Sequence, residues 1–198
     1  MLSLKSHLKE SDTSVFSSWT EGNSVCNFTG VVCNTNGLVS EINLSEQNLV
    51  GVVPFDSICG LPSLEKIDLG GNSLYGGITA ELKNCTRLQV LDLGLNSFSG
   101  EVPELSSLHN LNFFSLNDSG VSGTFPWKSI QNLTSLAFSS RPSRGHSPFD
   151  STRFPVEVLK LEKLYLLYLT NCSIRGEISD VIQNLTRLEN LELFDNQM

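Results

Sequence analysis

A spacing of about 24 residues, repeated from one end of the chain to the other, constrains this sequence more than any other property it has. Aligned on L-x-x-L-x-L-x-x-N-x-L-x-G, one copy reads Ile42, Leu44, Gln47, Leu49, Gly51, and the next Leu64, Ile67, Leu69, Asn72, Leu74, Gly76. The third reads Leu88, Leu91, Leu93, Asn96, Phe98, Gly100; Leu111 to Gly123, Leu164 to Gly176 and Leu188 to Asn196 repeat it. Positions 47, 72, 96, 119, 147, 172 and 196 mark the Asn-type slots, at intervals of 25, 24, 23, 28, 25 and 24. Alternating Leu-x-Leu turns two apolar side chains inward and the residue between them outward, which predicts one strand per copy and one parallel sheet. About seven inward apolar residues at ~2 kcal/mol each do not offset the ordering of some 24 residues at ~1 to 1.5 kcal/mol apiece. A lone copy should not fold; stacked copies that share their core faces should, so the predicted architecture is an α/β solenoid.

The Asn slot has its own chemistry. An inward amide offers donors and an acceptor to backbone groups where the chain turns out of the strand. Asn72, Asn96 and Asn196 keep it, Ser119 and Cys172 put a small polar side chain there, and Gln47 is the loosest match. The 28-residue interval breaks the rhythm. Between Leu136 and Phe149, where a leucine strand is expected, the chain supplies Ser139-Ser140-Arg141-Pro142-Ser143-Arg144-Gly145-His146-Ser147. Pro and Gly weaken a strand, and Arg144 stands where a leucine would be buried. An outward loop or a weakened strand is expected there, as a divergent repeat rather than a basic ligand contact.

Composition removes whole classes of function. With 13 basic and 21 acidic side chains the net charge is -8, so nothing offsets repulsion from a phosphate backbone and no nucleic-acid partner is expected. No run approaches the ~18 apolar residues of a membrane span, so no membrane insertion by this segment is expected. The stretch Met1 to His7 lacks the apolar core of a secretory signal. His7, His109 and His146 make no metal-ligand spacing, no two glycines are separated by a single residue, and G-x-S-x-G is absent. No catalytic residue, metal site or cofactor is therefore expected. Asn-x-Ser/Thr triplets at Asn27, Asn43, Asn84, Asn117, Asn132, Asn171 and Asn184 point to an exported, glycosylated chain.

Beyond the Asn slot, Gly51 to Pro54, Gly100 to Pro103 and Gly123 to Pro126 read Gly-x-hydrophobic-Pro, with Thr79 and Ser179 in the Pro place of two other copies. This ending resembles the plant-specific class of leucine-rich repeats. Trp19 and Cys26-Asn27-Phe28-Thr29-Gly30-Val31-Val32-Cys33 are similar to the N-terminal cap of plant receptor ectodomains, with Phe28 where Trp is usual. Asp56-Ser57-Ile58-Cys59, Leu82-Lys83-Asn84-Cys85-Thr86 and Phe125-Pro126-Trp127-Lys128-Ser129 resemble the HAIKU type of leucine-rich-repeat receptor-like kinases, related to the HAESA clade.

The resemblance implies a right-handed leucine-rich-repeat superhelix of the 24-residue plant class with a helical N-terminal cap. Residues 1–36 would form the cap with paired cysteines, and 37–198 about seven repeats, the fifth (about 133–156) degenerate and the last truncated. The function implied is ligand recognition in a single-pass receptor, at the extracellular face of the plasma membrane, with a Ser/Thr kinase domain that is not in this chain. Secreted peptides and a co-receptor ectodomain are the partners implied. The pattern's signal peptide and membrane span are missing here, and the stop at Met198 leaves Ile182, Leu185, Leu188, Leu191 and Leu193 without a following coil. Uncovered in that way, the isolated chain is expected to be marginal. A stand-alone secreted inhibitor of cell-wall-degrading enzymes, built on the same repeat, is the alternative; a cytosolic interaction scaffold is a third reading.

Cys26 and Cys33 close a short loop inside the cap, and a bridge there is expected to contribute about 2.5 kcal/mol. Cys59 and Cys85 hold equivalent positions in consecutive repeats, which leaves a bridge and two free thiols both open. Cys172 is left over and expected to be buried. Two columns project from the concave sheet: Asn43, Asp68, Asp92, Ser115, Tyr168, Glu192, and beside them Ser45, Gly70, Gly94, Asn117, Thr170, Phe194. With Glu46, Asp118 and Asp195 they make an acidic wall, on which Phe113, Tyr168 and Phe194 are apolar anchors. Asp68, Asp92, Phe113, Ser115, Asn117, Tyr168, Thr170, Glu192 and Phe194 are thus the candidate contacts for an extended ligand with basic residues. The opposing reading is a solvated spacer.

Overall fold

A computed structural model describes residues 1–10, 14–123, 125–130, 132–139, 154–170, 172, 174–178 and 180–198. Twelve strands form among them: β1 (Leu8–Glu10), β2 (Val31–Cys33), β3 (Val39–Asn43), β4 (Leu49–Val52), β5 (Lys66–Asp68) and β6 (Ser73–Gly77) come first. β7 (Val90–Asp92), β8 (Ser97–Ser99), β9 (Phe113–Ser115), β10 (Ser135–Ser139), β11 (Leu166–Thr170) and β12 (Asn190–Glu192) follow. Eight of them, in the order β2-β3-β5-β7-β9-β10-β11-β12, make one sheet. Its neighbours run parallel, apart from β2, which lies antiparallel on β3. Ile42, Ile67, Leu91, Phe114, Leu136, Leu167 and Leu191 stand side by side in register, so each copy stacks on the last at the same leucine. All but Leu191 are buried, in one continuous core that runs the length of the stack.

Two expectations need correction. One parallel sheet was expected, and there are two. β4, β6 and β8, from the Leu-x-Gly segment after the Asn slot, form a second, four-stranded sheet together with β1 from the N-terminal segment. The chain is still extended there, and successive coils pair it as Gly51 with Leu74 and Gly76 with Phe98. Its glycines take a left-handed backbone: Gly76, which still lies inside β6, and Gly100, Gly123 and Gly176 all have φ between 80° and 88°, a region that favours this residue.

The second correction concerns the long interval. The strand of this interval begins earlier than expected, at Ser135: β10 is paired through Leu136 to Phe114 on one side and Leu167 on the other. Leu136 and Leu167 are adjacent in the sheet but 31 positions apart in sequence, against 24 for Ile67 and Leu91. The leucine strand of this repeat thus lies at Ser135–Ser139, ahead of the place where the even period put it. The irregular stretch itself, from 140 on, lies outside the described residues, as does most of the repeat placed at about 133–156.

The return segments are tighter than an α/β description implies. α2 (Phe55–Ile58) is one α-helical turn, while Ala80–Asn84, Trp127–Ser129, Val156–Lys160 and Asp180–Asn184 are 3-10 turns. In the N-terminal segment α1 (Leu2–His7) is followed by β1, which adds antiparallel to β4. Trp19, 1% exposed, anchors this end: it stacks on Phe28 at 5.1 Å, meets Phe16 edge-on at 5.0 Å, and donates its indole N–H to the Thr29 carbonyl at 3.0 Å. Lys5 Nζ donates to the Phe16 and Trp19 carbonyls at 2.9 and 2.8 Å, tying α1 to the same cluster. Cys26 bridges Cys33, and Cys59 bridges Cys85, which closes the question left open for that pair. Cys172 is buried and belongs to neither bridge; its thiol donates to the Thr170 carbonyl at 3.3 Å, and burial pushes its pKa well above the usual thiol range.

The Asn slot does what its chemistry requires. Asn72 Oδ1 accepts from the amides of Gln47 and Leu49 in the preceding coil, and its Nδ2 donates to the carbonyls of Leu44, Leu69 and Gly70. Asn96 holds Leu74 N and the Leu69, Leu93 and Gly94 carbonyls; Asn196 holds the Cys172 and Ile174 amides and the Leu169 and Leu193 carbonyls. Ser119 is too short for this, and its buried Oγ has no partner.

Candidate recognition face

The outward residues of the large sheet form the column read from sequence, with one member added. Asn43, Asp68, Asp92, Ser115, Ala137, Tyr168 and Glu192 are in register across seven consecutive strands. Ala137 was missed because the fifth strand was sought too far along the chain; the apolar spacing Leu133, Leu136, Phe138 was its signal.

Asp68 and Asp92 stand side by side on β5 and β7. Asp92 Oδ1 accepts from the Gly94 amide at 2.9 Å and Asp68 Oδ1 from the Gly70 amide at 3.4 Å. Burial raises the Asp92 carboxyl above its ordinary pKa; the Gly94 amide and the Ser115 hydroxyl pull it back, and repulsion from Asp68 adds to the rise. Lys66 Nζ lies 4.0 Å from Asp68 Oδ2. Gly70 and Gly94 leave the neighbouring column without side chains. A Cβ on Gly70 would stand 3.3 Å from Asp92 Oδ1, and one on Gly94 3.0 Å from Ser115 Oγ and 3.2 Å from Asp92 Oδ1. The two carboxylates thus border a trough floored by backbone.

Other candidates fare differently. Ser115 is only 5% exposed and serves Asp92 rather than a free surface, which corrects its reading as a contact. Phe113 and Tyr168 are half-buried rather than free anchors, Thr170 and Glu192 are half-buried, and Phe194 is 65% exposed. Asn117 is half-buried, and its buried Oδ1 has no hydrogen-bond partner. Asn27, Asn43, Asn84, Asn132 and Asn184 are exposed, and Asn171 lies outside the described residues. Glu46, Leu95, Asp118 and Asp195, at equivalent places just before the Asn slot, all carry φ between 50° and 56°. These four coils therefore leave the sheet through a left-handed residue, a turn the sequence pattern did not announce. No group of three or more His, Cys, Asp or Glu suited to a metal ion occurs among the described residues.

A family model described as leucine rich repeat N-terminal domain matches residues 1–34, and leucine rich repeat models match 63–85 and 161–185. Receptor-like protein kinase 7 of Arabidopsis thaliana is 53% identical over 189 residues, 94% of this chain and 19% of that protein. Receptor-like protein kinase HAIKU2 of the same plant is 49% identical over 189 residues, 91% of this chain and again 19% of the relative. The chain thus spans about a fifth of the length of these curated relatives. Among solved structures, the Arabidopsis receptor kinase HAESA, in complex with the peptide hormone IDA and the co-receptor SERK1, superposes with a TM-score of 0.78 at 29% identity. That match covers 99% of this chain and 37% of HAESA. The plant peptide hormone receptor RGFR1, in complex with RGF2, gives a TM-score of 0.68 at 27% identity, covering 86% of this chain and 34% of the receptor.

Proposed function

Because the chain belongs to the leucine-rich-repeat proteins and is similar over nearly its whole length to plant receptor-like kinase ectodomains, we propose that it is the ligand-recognition segment of such a receptor. It acts outside the cell at the plasma membrane, binds a secreted peptide along the concave sheet, and works beside a co-receptor ectodomain; no catalysis resides in these residues. Residues 1–36 serve as the cap, with its helical start, and 37–198 as about seven repeats of the 24-residue plant class. The relatives named are receptor kinases, which does not favour the inhibitor reading.

The observation that carries the proposal is the Asp68–Asp92 pair beside the side-chain-free Gly70 and Gly94. An extended peptide can lay its main chain on that floor and place a basic side chain between two carboxylates, one of them already lifted in pKa by burial. A cation there relieves the repulsion between the two. Calorimetric titration with a lysine-containing extended dodecapeptide tests this. Asp68→Ala combined with Asp92→Ala should weaken binding by about tenfold or more, since charge-assisted contacts of this kind are worth ~1.5–3 kcal/mol. Unchanged affinity would remove these columns from the site.

A further inference from the structure

A second recognition feature lies away from the concave sheet, on the side where the chain leaves the second sheet and returns. The Gly-x-hydrophobic-Pro endings of two consecutive coils place Val102-Pro103 and Phe125-Pro126 along one groove of about 490 Å³, which Trp127 also lines. The floor is fixed in the core. Phe125 is buried, lies 5.9 Å from the fully buried Phe114 and packs at 4.5 Å against Trp127, which is half-buried.

The rim is acidic. Glu101 lies across Gly123, where a Cβ would collide with it; Glu104 accepts a hydrogen bond from the Ser129 hydroxyl; Glu157 comes from the next coil. Among the described residues no Lys, Arg or His lines the groove. We propose that this groove is a docking site for an arginine side chain presented by a basic segment of a partner protein. A guanidinium is flat, weakly hydrated and always charged, so it can stack on the Trp127 face and reach the flanking carboxylates in the same pose. An ammonium can do only the second well.

Glycan placement separates this groove from a second cavity among the described residues. That one, about 550 Å³, is lined by Thr134, Lys163, Tyr165, Thr186 and Arg187, and Thr134 and Thr186 are the threonines of the Asn132 and Asn184 acceptor triplets. Glycans on those exposed asparagines overhang it. No acceptor triplet contributes to the acidic groove, so in an extracellular chain, as read above, it stays open.

The test titrates the disulfide-bonded chain with acetylated tri-arginine amide, following heat and tryptophan fluorescence, with the neutral tri-citrulline peptide as control. Trp19 is buried in the cap, so a fluorescence change reports Trp127. The expected result is saturable binding of tri-arginine and not of tri-citrulline. It should weaken about tenfold in Glu101→Gln/Glu157→Gln, which alters exposed or half-exposed groups, and stay within about twofold in Asp68→Asn/Asp92→Asn. No saturable binding, or equal binding of the citrulline peptide, overturns the proposal. So does binding that survives the glutamate changes and is lost with the aspartate changes; that outcome assigns the cation to the concave face and leaves the peptide reading standing.

Discussion

Replacing Asn96 by Ala offers a sharp test of the amide ladder, because the structure says which backbone groups would be stranded. Asn96 is 3% exposed and makes four hydrogen bonds. Two of its partners keep another: the Leu69 carbonyl still accepts from Asn72, and the Gly94 carbonyl from the Gly71 amide. The Leu74 amide and the Leu93 carbonyl do not. Two orphaned buried groups at ~1–2 kcal/mol each predict a loss of about 2 to 4 kcal/mol in urea unfolding. The contrast is Ser119→Ala in the equivalent slot, which removes a buried hydroxyl that has no partner and should cost nothing or stabilise slightly. Asn96→Asp is nearly isosteric, yet it turns a carboxylate toward three carbonyls; it should be at least as damaging as Ala, with stability returning as pH falls and the group protonates. An Asn96→Ala loss below about 1 kcal/mol, or losses equal at both slots, would refute the reasoning.

Removing the Cys59–Cys85 bridge, which spans 26 positions, should lower stability by about 3.5 kcal/mol, and removing Cys26–Cys33, which spans 7, by about 2.5 kcal/mol; urea midpoints of the two serine double mutants give the order, and a reversed order contradicts it. A carboxyl whose folded pKa lies above its unfolded value holds its proton more readily when folded, so Asp92 makes stability fall as pH rises from 3.8 through that raised value. Asp92→Asn should flatten this slope, and unfolding curves stepped between about pH 4 and 7 would show the same slope in both proteins if burial of Asp92 is of no consequence.

The parts of the fold legible in the sequence were those that recur. The leucine period, the amide slots and the outward column follow from spacing alone, and Cys59 and Cys85 came together because equivalent positions stack. What did not recur stayed hidden. The second sheet arises from runs of three to five residues, too short and glycine-broken to carry an alternation, and its pairing depends on the coils being stacked already. Strand β10 was displaced in the alignment because its Leu136-x-Phe138 lacks a polar slot at the usual distance. Burial of Ser115 could not be read from a column of outward positions, since its contact with Asp92 crosses between coils. The acidic groove was invisible for a like reason: Glu101, Phe125 and Glu157 come from three separate return segments.

The amide ladder and the second sheet end at the same boundary. Asn72, Asn96 and Asn196 each fasten the coil before them, and the second sheet runs through β8 and resumes only as a single bridge between Arg175 and Gln197. The pairing is causal: Oδ1 captures the amides of Leu49, Leu74 and Ile174 and so draws the following segment into line with its neighbour. At Ser119 the amide is missing, and among the described residues the third and fourth coils are joined there by the large sheet, its core and one backbone hydrogen bond, from the Ser122 amide to the Gly100 carbonyl at 2.8 Å. Among the described residues the stitching is thus closest in the first three coils and sparser where Ser119 stands, so bending between the third and fourth coils should meet less resistance there than between the second and third.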